Sequence, residues 1–460
     1  MTSWTAAVHA SYLQQIHDGQ ATRSATAPSL AGCIAGMVPA SASFTSQAVG
    51  NPEPGMPIDI GFTAAFPLEA AELYKRFADS DTVKRQWPAL TNYIDCQLRV
   101  AAAANGTADL LPDFFVWGDW STSVESRSAS KAGAGARIAA ANWLLALEAM
   151  SSLARDPMSL DADAERYTQL LGAGRRLYDA RFWNATLGTW AARQTEVQTM
   201  TALSLAVGVG SAERRATATA ALLRDIASRG DHMAVGYQGA RWLLPSLSAA
   251  GQHDVALRLA LQTSYPSFGH WLAKGATTCW ENWSGVADSA HPPHPSHNHI
   301  FLCGGVGVWL YESLGGIRPA APGYARVAIA PQISRTLGPS AVNMTLQTLH
   351  GVVRSAWRRT SSVDDRASSA ELLRLEVEIP IGVRAQITVP LLRPAAGATR
   401  RVYVRERGSM RELWRSGSTA DASLPSAASD AVGSGSVRVV DGGLEVAVRG
   451  GGSYAFAVTT

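Results

Sequence analysis

The period of the apolar pattern changes once along this chain of 460 residues, and the change separates two kinds of fold. From the N-terminus to about residue 316, apolar residues recur about every 3.6 positions, which is typical of amphipathic helices. We expect about ten helices here, with Asp81 and Asp163 as candidate N-caps. The clearest helical stretches are 62–78, 81–104, 135–155, 163–182, 212–230 and 305–315.

The Pro- and Gly-rich segment 315–324 indicates a domain boundary, and beyond it the apolar period becomes two. Alternation of this kind is typical of half-buried antiparallel strands, so we predict a β-sandwich with a flexible loop at 418–436. The predicted domains are 1–318 and 319–460. The predicted strands are 324–331, 341–349, 351–359, 371–380, 384–390, 400–406, 436–441, 443–449 and 453–459.

The loops between the predicted helices are rich in tryptophan and acidic residues, unlike ordinary polar connectors. Paired helices whose loops gather such residues favour an α/α toroid with one shared concave mouth. A complete toroid of six hairpins needs twelve helices, so about ten helices predict an incomplete (α/α)6-toroid-like domain followed by an antiparallel β-sandwich.

Composition excludes several classes of function. A net charge of +3 without aromatic platforms beside the arginines argues against nucleic acid, and no stretch approaches the roughly 20 apolar residues of a membrane span. The N-terminus lacks a basic start followed by an apolar run, so we expect no secretory signal and favour the cytoplasm. The four cysteines lie far apart without a C-x-x-C spacing, so we expect free, buried thiols.

Two loops place a carboxylate between tryptophans. Glu281 lies between Trp280 and Trp283, and Asp119 lies between Trp117 and Trp120. Flat aromatic faces beside a partly desolvated acid suit a sugar ring, and glycoside hydrolysis works with two carboxylates. A structural glutamate beside core tryptophans, and an Asx turn at Asp119, are the alternatives.

The stretch 291–299 carries four histidines, which raises the possibility of a metal site. Its prolines force extended backbone and oppose the helical spacing that would let neighbouring imidazoles share an ion. We therefore expect no metal. His299, with Asn298 beside it, is a better candidate for hydrogen bonding to a sugar hydroxyl, with a buried structural histidine as the alternative.

The order of several motifs resembles bacterial α-L-rhamnosidases of glycoside hydrolase family 78. These are GDW (118–120), GYQGARWLLPSLSAAG (236–251), LQTSYPSFGHWLAKGATTCWENWSG (261–285), SHNH (296–299), GVGVWLYESLGGIRPAAPGYARVAIAP (305–331) and HGVVRSAWRR (350–359). The resemblance implies an (α/α)6 barrel followed by a β-sandwich, and inverting hydrolysis of terminal α-L-rhamnosyl residues without a cofactor or catalytic metal. Its substrate would be a rhamnose-containing glycoside or oligosaccharide.

By position in these motifs, the resemblance implies that Glu281 is the general base, which activates water. It further implies that His299 binds the sugar, that Asp119 and Trp120 form part of the floor of the rhamnose subsite, and that Trp280 and Trp283 are its walls.

The sequence also departs from the family pattern. The family segment D-C-P-x-R-E-x-x-G-W-x-G-D, which holds the general acid, has no match, and the first matched element resembles the helix after it. We therefore expect a base without its acid and a toroid without its first hairpins, which puts turnover in question. At 57–65 the family's G-W-G-D-A is replaced by PIDIGFTAA, where Asp59 is a candidate substitute for the family's aspartate.

Two other functions stay open from the sequence. One is a non-catalytic remnant that binds glycans through Trp120, Trp283 and His299. The other is a different carbohydrate enzyme built on an α/α toroid, such as a glucoamylase-like hydrolase or a polysaccharide lyase, against which the TTCWENW run argues.

Overall fold

The computed structural model gives the chain as two compact units. One contains residues 6–74 and 79–306, and the other contains residues 307–460 together with 1–5 and 75–78. The residues that the structure describes are 3–24, 34, 60–105, 118–124, 127–285, 295–360, 371–392, 401–406, 409–415, 432–440, 443–449 and 451–459.

The first part of the chain is helical, as its apolar period predicts. In the described residues the helices are α1 (Ser3–Ser24), α2 (Ile60–Thr63), α3 (Ala65–Phe77), α4 (Ser80–Asn105), α5 (Arg127–Arg155), α6 (Asp161–Phe182), α7 (Val197–Ala206), α8 (Ala212–Ser228), α9 (Tyr237–Ala249), α10 (His253–Leu261), α11 (Phe268–Ala273) and α12 (Gly304–Trp309). A π-helical turn, Leu310–Leu314, continues α12. None of the described helices has the length and apolarity needed to cross a membrane.

Packing between these helices follows their apolar faces. Helix α5 lies against α6, and α7 lies against both α8 and α9. The side chains of Trp143, Tyr167 and Tyr178 are fully buried among them. Burial of such large apolar surfaces, rather than helix propensity, supplies most of the stabilisation of helices of this length.

The N-cap predictions differ from the structure by a few residues. Helix α4 begins at Ser80, and the carboxylate of Asp79 accepts hydrogen bonds from the backbone N–H and the hydroxyl of Thr82 (2.9 and 2.7 Å). Asp79 therefore caps this helix, and Asp81 lies in its first turn, where a negative charge still favours the helix dipole. Asp163 likewise lies inside the first turn of α6.

Eleven strands follow in the described part of the chain. They are β1 (Ile317–Pro319), β2 (Arg326–Ile329), β3 (Ala341–Thr348), β4 (Gly351–Arg359), β5 (Glu371–Ile379), β6 (Arg384–Pro390), β7 (Arg401–Glu406), β8 (Ser409–Arg415), β9 (Val432–Val440), β10 (Gly443–Arg449) and β11 (Gly452–Thr459). One sheet has the order β1-β2-β6-β10-β9 and the other β3-β4-β5-β11-β7-β8. Apart from the parallel pair β2–β6, all described pairs are antiparallel.

Alternation along the strands places one face of each sheet in the core of the sandwich. On β6, for example, Ala385, Ile387 and Val389 are buried and alternate with more exposed residues. Two strands were not predicted. Strand β1 lies inside the segment interpreted as a linker, and its Ile317 is fully buried. Strand β8 is the other, and the predicted loop 418–436 lies outside the described residues up to 431 and then begins β9.

Candidate active site

Glu281 lies in a loop whose backbone pairs with a second loop segment. Its N–H donates to the carbonyl of Ser296 (2.8 Å), and the N–H of Ser296 donates to Glu281 Oε2 (2.7 Å). The N–H of His299 donates in turn to the carbonyl of Cys279 (2.8 Å). These three hydrogen bonds join residues 279–281 to residues 296–299. The two paired segments form a scaffold that carries the half-exposed carboxylate of Glu281 and the half-buried imidazole of His299.

An aromatic stack adjoins this scaffold. The ring of Tyr237 stacks on His299 (centroids 5.2 Å apart) and on Phe301 (5.0 Å), and Phe301 meets the edge of Phe62 (6.1 Å). The Tyr237 hydroxyl donates to the backbone carbonyl of Glu281 (3.2 Å). The stack therefore joins the first residue of α9 to both of the polar groups at the site.

Burial shifts the pKa of two groups in this stack. It lowers the pKa of His299 below 6.5, although the nearby charge of Glu281 raises it in part, so the imidazole is neutral near pH 7. Burial also raises the pKa of Tyr237; the hydroxyl of Ser121 lowers it in part and the charge of Glu281 raises it further. The site therefore offers a neutral imidazole and a protonated phenol as hydrogen-bonding groups.

The Asp119 carboxylate lies at the N-terminus of α9. Oδ2 accepts hydrogen bonds from the Thr199 hydroxyl (2.5 Å) and the N–H of Gly236 (2.7 Å), and Oδ1 accepts from the N–H groups of Gln238 (2.9 Å) and Gly239 (3.2 Å). Burial raises the pKa of Asp119, whereas these four donors lower it. Asp119 therefore satisfies N–H groups that a helix start leaves without partners, and contact with a sugar stays a prediction.

Trp120 follows Asp119 and joins the same contact. Its carbonyl accepts a hydrogen bond from the N–H of Tyr237 (2.9 Å), and its side chain is half-buried. A Cβ built on Gly236 would lie 2.1 Å from that carbonyl oxygen. Glycine is thus required for the loop to approach the start of α9 this closely.

The two tryptophans beside Glu281 pack inward. Trp283 is 1% exposed, stacks on Trp271 (5.2 Å) and donates through Nε1 to the carbonyl of Val235 (2.7 Å). Trp280 is 8% exposed and stacks on His297 (4.7 Å). These contacts support a packing role for both indoles, and their proposed role as sugar-binding walls stays a prediction.

The remaining candidates, and Asn282 beside the base, are placed differently. Asn298 is exposed, and its N–H donates to the Ser296 hydroxyl (3.1 Å). Asn282 is fully buried, and its Oδ1 accepts from the N–H of Gly285 (2.7 Å), closing the turn after the base. Asp59 and Trp117, like His291 and His294, lie outside the described residues.

Sequence reasoning missed three contributors to the site: Tyr237, Ser296 and the cysteines. Tyr237 lies within the GYQGARW motif, but no local pattern marks its contact with His299. The expectation of free thiols was wrong, because Cys279 forms a disulfide with Cys303, and Cys96 is also disulfide-bonded. A spacing of 24 residues without a motif gives no signal for such a pairing.

Comparisons with known proteins identify the family of the chain. Residues 2–314 match the model of the bacterial alpha-L-rhamnosidase 6 hairpin glycosidase domain, and residues 316–403 match the bacterial alpha-L-rhamnosidase C-terminal domain. An alpha-L-rhamnosidase of Streptomyces avermitilis is 31% identical over 211 residues, which cover 45% of this chain and 20% of that protein. The chain thus spans about a fifth of the length of this curated relative.

Solved structures share the fold. The alpha-L-rhamnosidase of Dictyoglumus thermophilum superposes with a TM-score of 0.76 at 21% identity, covering 98% of this chain and 43% of the other. The Streptomyces avermitilis alpha-L-rhamnosidase complexed with L-rhamnose superposes with a TM-score of 0.70 at 23% identity, covering 97% of this chain and 36% of the other.

Proposed function

The chain belongs to the bacterial alpha-L-rhamnosidase family, and from that premise we propose that it is a glycoside hydrolase that acts on terminal α-L-rhamnosyl residues with inversion. Its substrate is a rhamnose-containing glycoside or oligosaccharide. L-Rhamnose, the sugar in the complex of the Streptomyces avermitilis protein, is the ligand we propose for this site.

The position of the Glu281 carboxylate is the observation that carries the proposal. It is half-exposed, and one of its oxygens is held by the N–H of Ser296. In the part of the chain that the structure describes, its other oxygen accepts no hydrogen bond. That oxygen is placed to take a proton from a water molecule as the water attacks the anomeric carbon, which is the role of the base in an inverting enzyme.

His299 is the proposed partner for the sugar. Because burial lowers its pKa, the imidazole is neutral and both donates and accepts hydrogen bonds. The stacked ring of Tyr237 limits the orientations open to it. We propose that this neutral imidazole binds a rhamnose hydroxyl beside the base.

Substrates whose leaving groups differ in basicity distinguish the contribution of the general base from that of a general acid. Protonation by a general acid matters most for a poor leaving group, whereas activation of water matters for all of them. We would therefore measure turnover of 2,4-dinitrophenyl, p-nitrophenyl and phenyl α-L-rhamnosides by the wild-type chain. A steep decline in rate from the first substrate to the last would indicate hydrolysis without an acid, and a shallow one hydrolysis with an acid.

Glu281→Gln tests the base on the dinitrophenyl substrate. We expect turnover to fall by at least about 100-fold, since general base catalysis typically contributes about 10²–10⁴-fold. Glu165→Gln, on the exposed surface of α6, is the matched control and should keep the wild-type rate. Proton NMR of the first product should show β-L-rhamnose, and α-L-rhamnose would contradict inversion.

Three further outcomes separate the alternatives. Calorimetric binding of L-rhamnose without turnover of any substrate would favour the glycan-binding function. Turnover that survives Glu281→Gln would refute the assignment of the base, and the absence of both turnover and rhamnose binding would refute the proposed function.

A further inference from the structure

We propose that the Cys279–Cys303 disulfide is a positioning element of the active site, which fixes the loop of Glu281 to the loop of His299. The inference rests on the proposed function, because it assigns the bond a part in that reaction. The bond joins cysteines 24 residues apart in sequence, with Cα atoms 6.2 Å apart. Cys279 precedes the base by two residues, and Cys303 follows the imidazole by four.

The disulfide ties together segments that backbone hydrogen bonds already align. The carbonyl of Cys279 accepts from the N–H of His299, and two further bonds join Glu281 to Ser296. The hydroxyl of Thr278 donates to the carbonyl of His297 beside them. The disulfide therefore adds a covalent link to this backbone pairing, at the C-terminal end of the segment that contains His299.

Among residues 296–303 only Leu302 is fully buried, so burial gives the segment of His299 little support. Thr278, Asn298 and Ile300 are exposed, the last by 71% of its surface, and Phe301 is 48% exposed. Among the described residues, no helix or strand lies between α11 and α12. Hydrogen bonds in exposed, irregular backbone open at low free-energy cost, so a covalent link is the feature that can hold the two loops in one arrangement.

Catalysis depends on that arrangement. A misplacement of about 1 Å can cost about 100-fold in rate, so the distance between the base and the sugar that the imidazole binds must stay fixed. Trp280 and Trp283 hold the base from the buried side. The disulfide supplies the corresponding restraint for the segment of His299.

The proposal also has a consequence for the environment of the chain. Disulfides persist in oxidising compartments and are reduced in most cytosols, and no cysteine among the described residues is free. The favoured compartment is then an oxidising one, in place of the cytoplasm that the N-terminus suggested. Reduction of the bond takes two electrons and two protons and yields two thiols; with a phosphine as reductant, the phosphine becomes its oxide with oxygen from water.

The test compares the wild-type chain with Cys279→Ser/Cys303→Ser, which removes both sulfurs and leaves no unpaired thiol at the site. Mass spectrometry after alkylation first establishes that the wild-type bond exists; alkylation of both cysteines in the untreated protein would overturn the proposal. Turnover of 2,4-dinitrophenyl α-L-rhamnoside is then measured for both proteins, each with and without tris(2-carboxyethyl)phosphine.

We expect kcat to fall about ten- to a hundredfold in the double variant and in the reduced wild-type protein, with a smaller change in KM. Reductant should have no further effect on the variant, which separates this bond from that of Cys96. Circular dichroism at the assay temperature checks that the variant is folded. A folded variant with wild-type kcat would overturn the proposal.

Hydrogen exchange tests the positioning role of the disulfide without any need for turnover. The amides of Glu281, Ser296 and His299 should exchange at least about tenfold faster in the variant, because their pairing opens more often. The amide of Met150, a fully buried residue of α5, is the internal control. Unchanged protection at the site would overturn the positioning role even in a chain that hydrolyses nothing, whereas faster exchange without rhamnose binding would count against the proposed function alone.

Discussion

Replacing Asp119 with asparagine should destabilise the helical unit rather than weaken a contact with the sugar. The carboxylate accepts four hydrogen bonds, two on each oxygen, at the start of α9. An amide keeps one oxygen and turns an NH₂ group toward the other two donors. The least costly orientation points the NH₂ at Thr199, whose hydroxyl can rotate to accept, and leaves the N–H of Gly236 without an acceptor.

The cost follows from these contacts. A buried donor left without a partner costs about 1–3 kcal/mol, and each remaining bond loses roughly 1 kcal/mol because hydrogen bonds to a charged acceptor are stronger than neutral ones. Loss of the buried charge offsets part of this sum. We expect a decrease of about 3 kcal/mol in the free energy of unfolding for Asp119→Asn.

Urea denaturation followed by circular dichroism at 222 nm measures this change, because the helical unit gives most of that signal. Thr199→Val is the matched variant: it removes one of the four donors and should cost about 2 kcal/mol or less. L-Rhamnose affinity is measured alongside. If Asp119→Asn kept the wild-type stability while rhamnose affinity fell tenfold, Asp119 would be a sugar ligand and the capping role would be refuted.

Three further predictions concern the same loops. Tyr237→Phe keeps the stacked ring but loses the bond to the Glu281 carbonyl, so it should lower stability by about 1 kcal/mol and weaken rhamnose binding in calorimetry; unchanged binding would argue against a role for the hydroxyl. Burial lowers the folded-state pKa of His299, so between that lowered pKa and 6.5 the unfolded chain binds more protons than the folded chain. The free energy of unfolding should therefore rise with pH over this range. His299→Gln should flatten this part of the plot of urea midpoint against pH, and an unaltered slope would contradict the assignment. Trp283→Ala removes a fully buried indole and should lower the free energy of unfolding by about 3–5 kcal/mol in urea denaturation. A decrease below about 1 kcal/mol would mean that the indole is not part of the core.

Local patterns predicted most of the fold. The helical stretch 163–182 corresponds to α6, and the alternating stretch 384–390 corresponds to β6, since each period reflects one buried face. Strand β1 was missed because three residues beside Gly and Pro resemble a linker. The parallel pairing of β2 with β6 has no local signal either, because it joins segments separated by three strands of the other sheet.

The candidate site was predicted in part. The motifs predicted Glu281 and His299 as site residues, and the structure brings their loops together through backbone hydrogen bonds. The partners that decide how each group behaves come from distant segments: Ser296 for the base, Tyr237 for the imidazole and Cys303 for Cys279. Such pairings depend on the path of the chain, and residue spacing does not reveal them.

Periodicity and turn residues act over a few positions, so local sequence was enough to predict the change from helices to strands and the loops that carry acidic and aromatic side chains. It did not determine how two similar carboxylates differ. Asp119 and Glu281 each lie between tryptophans, yet one is buried under four donors from segments 80–120 residues away and the other is half-exposed. This difference between the two carboxylates arises in the folded chain, because the groups that bury each one and donate hydrogen bonds to it come from parts of the chain far away in sequence.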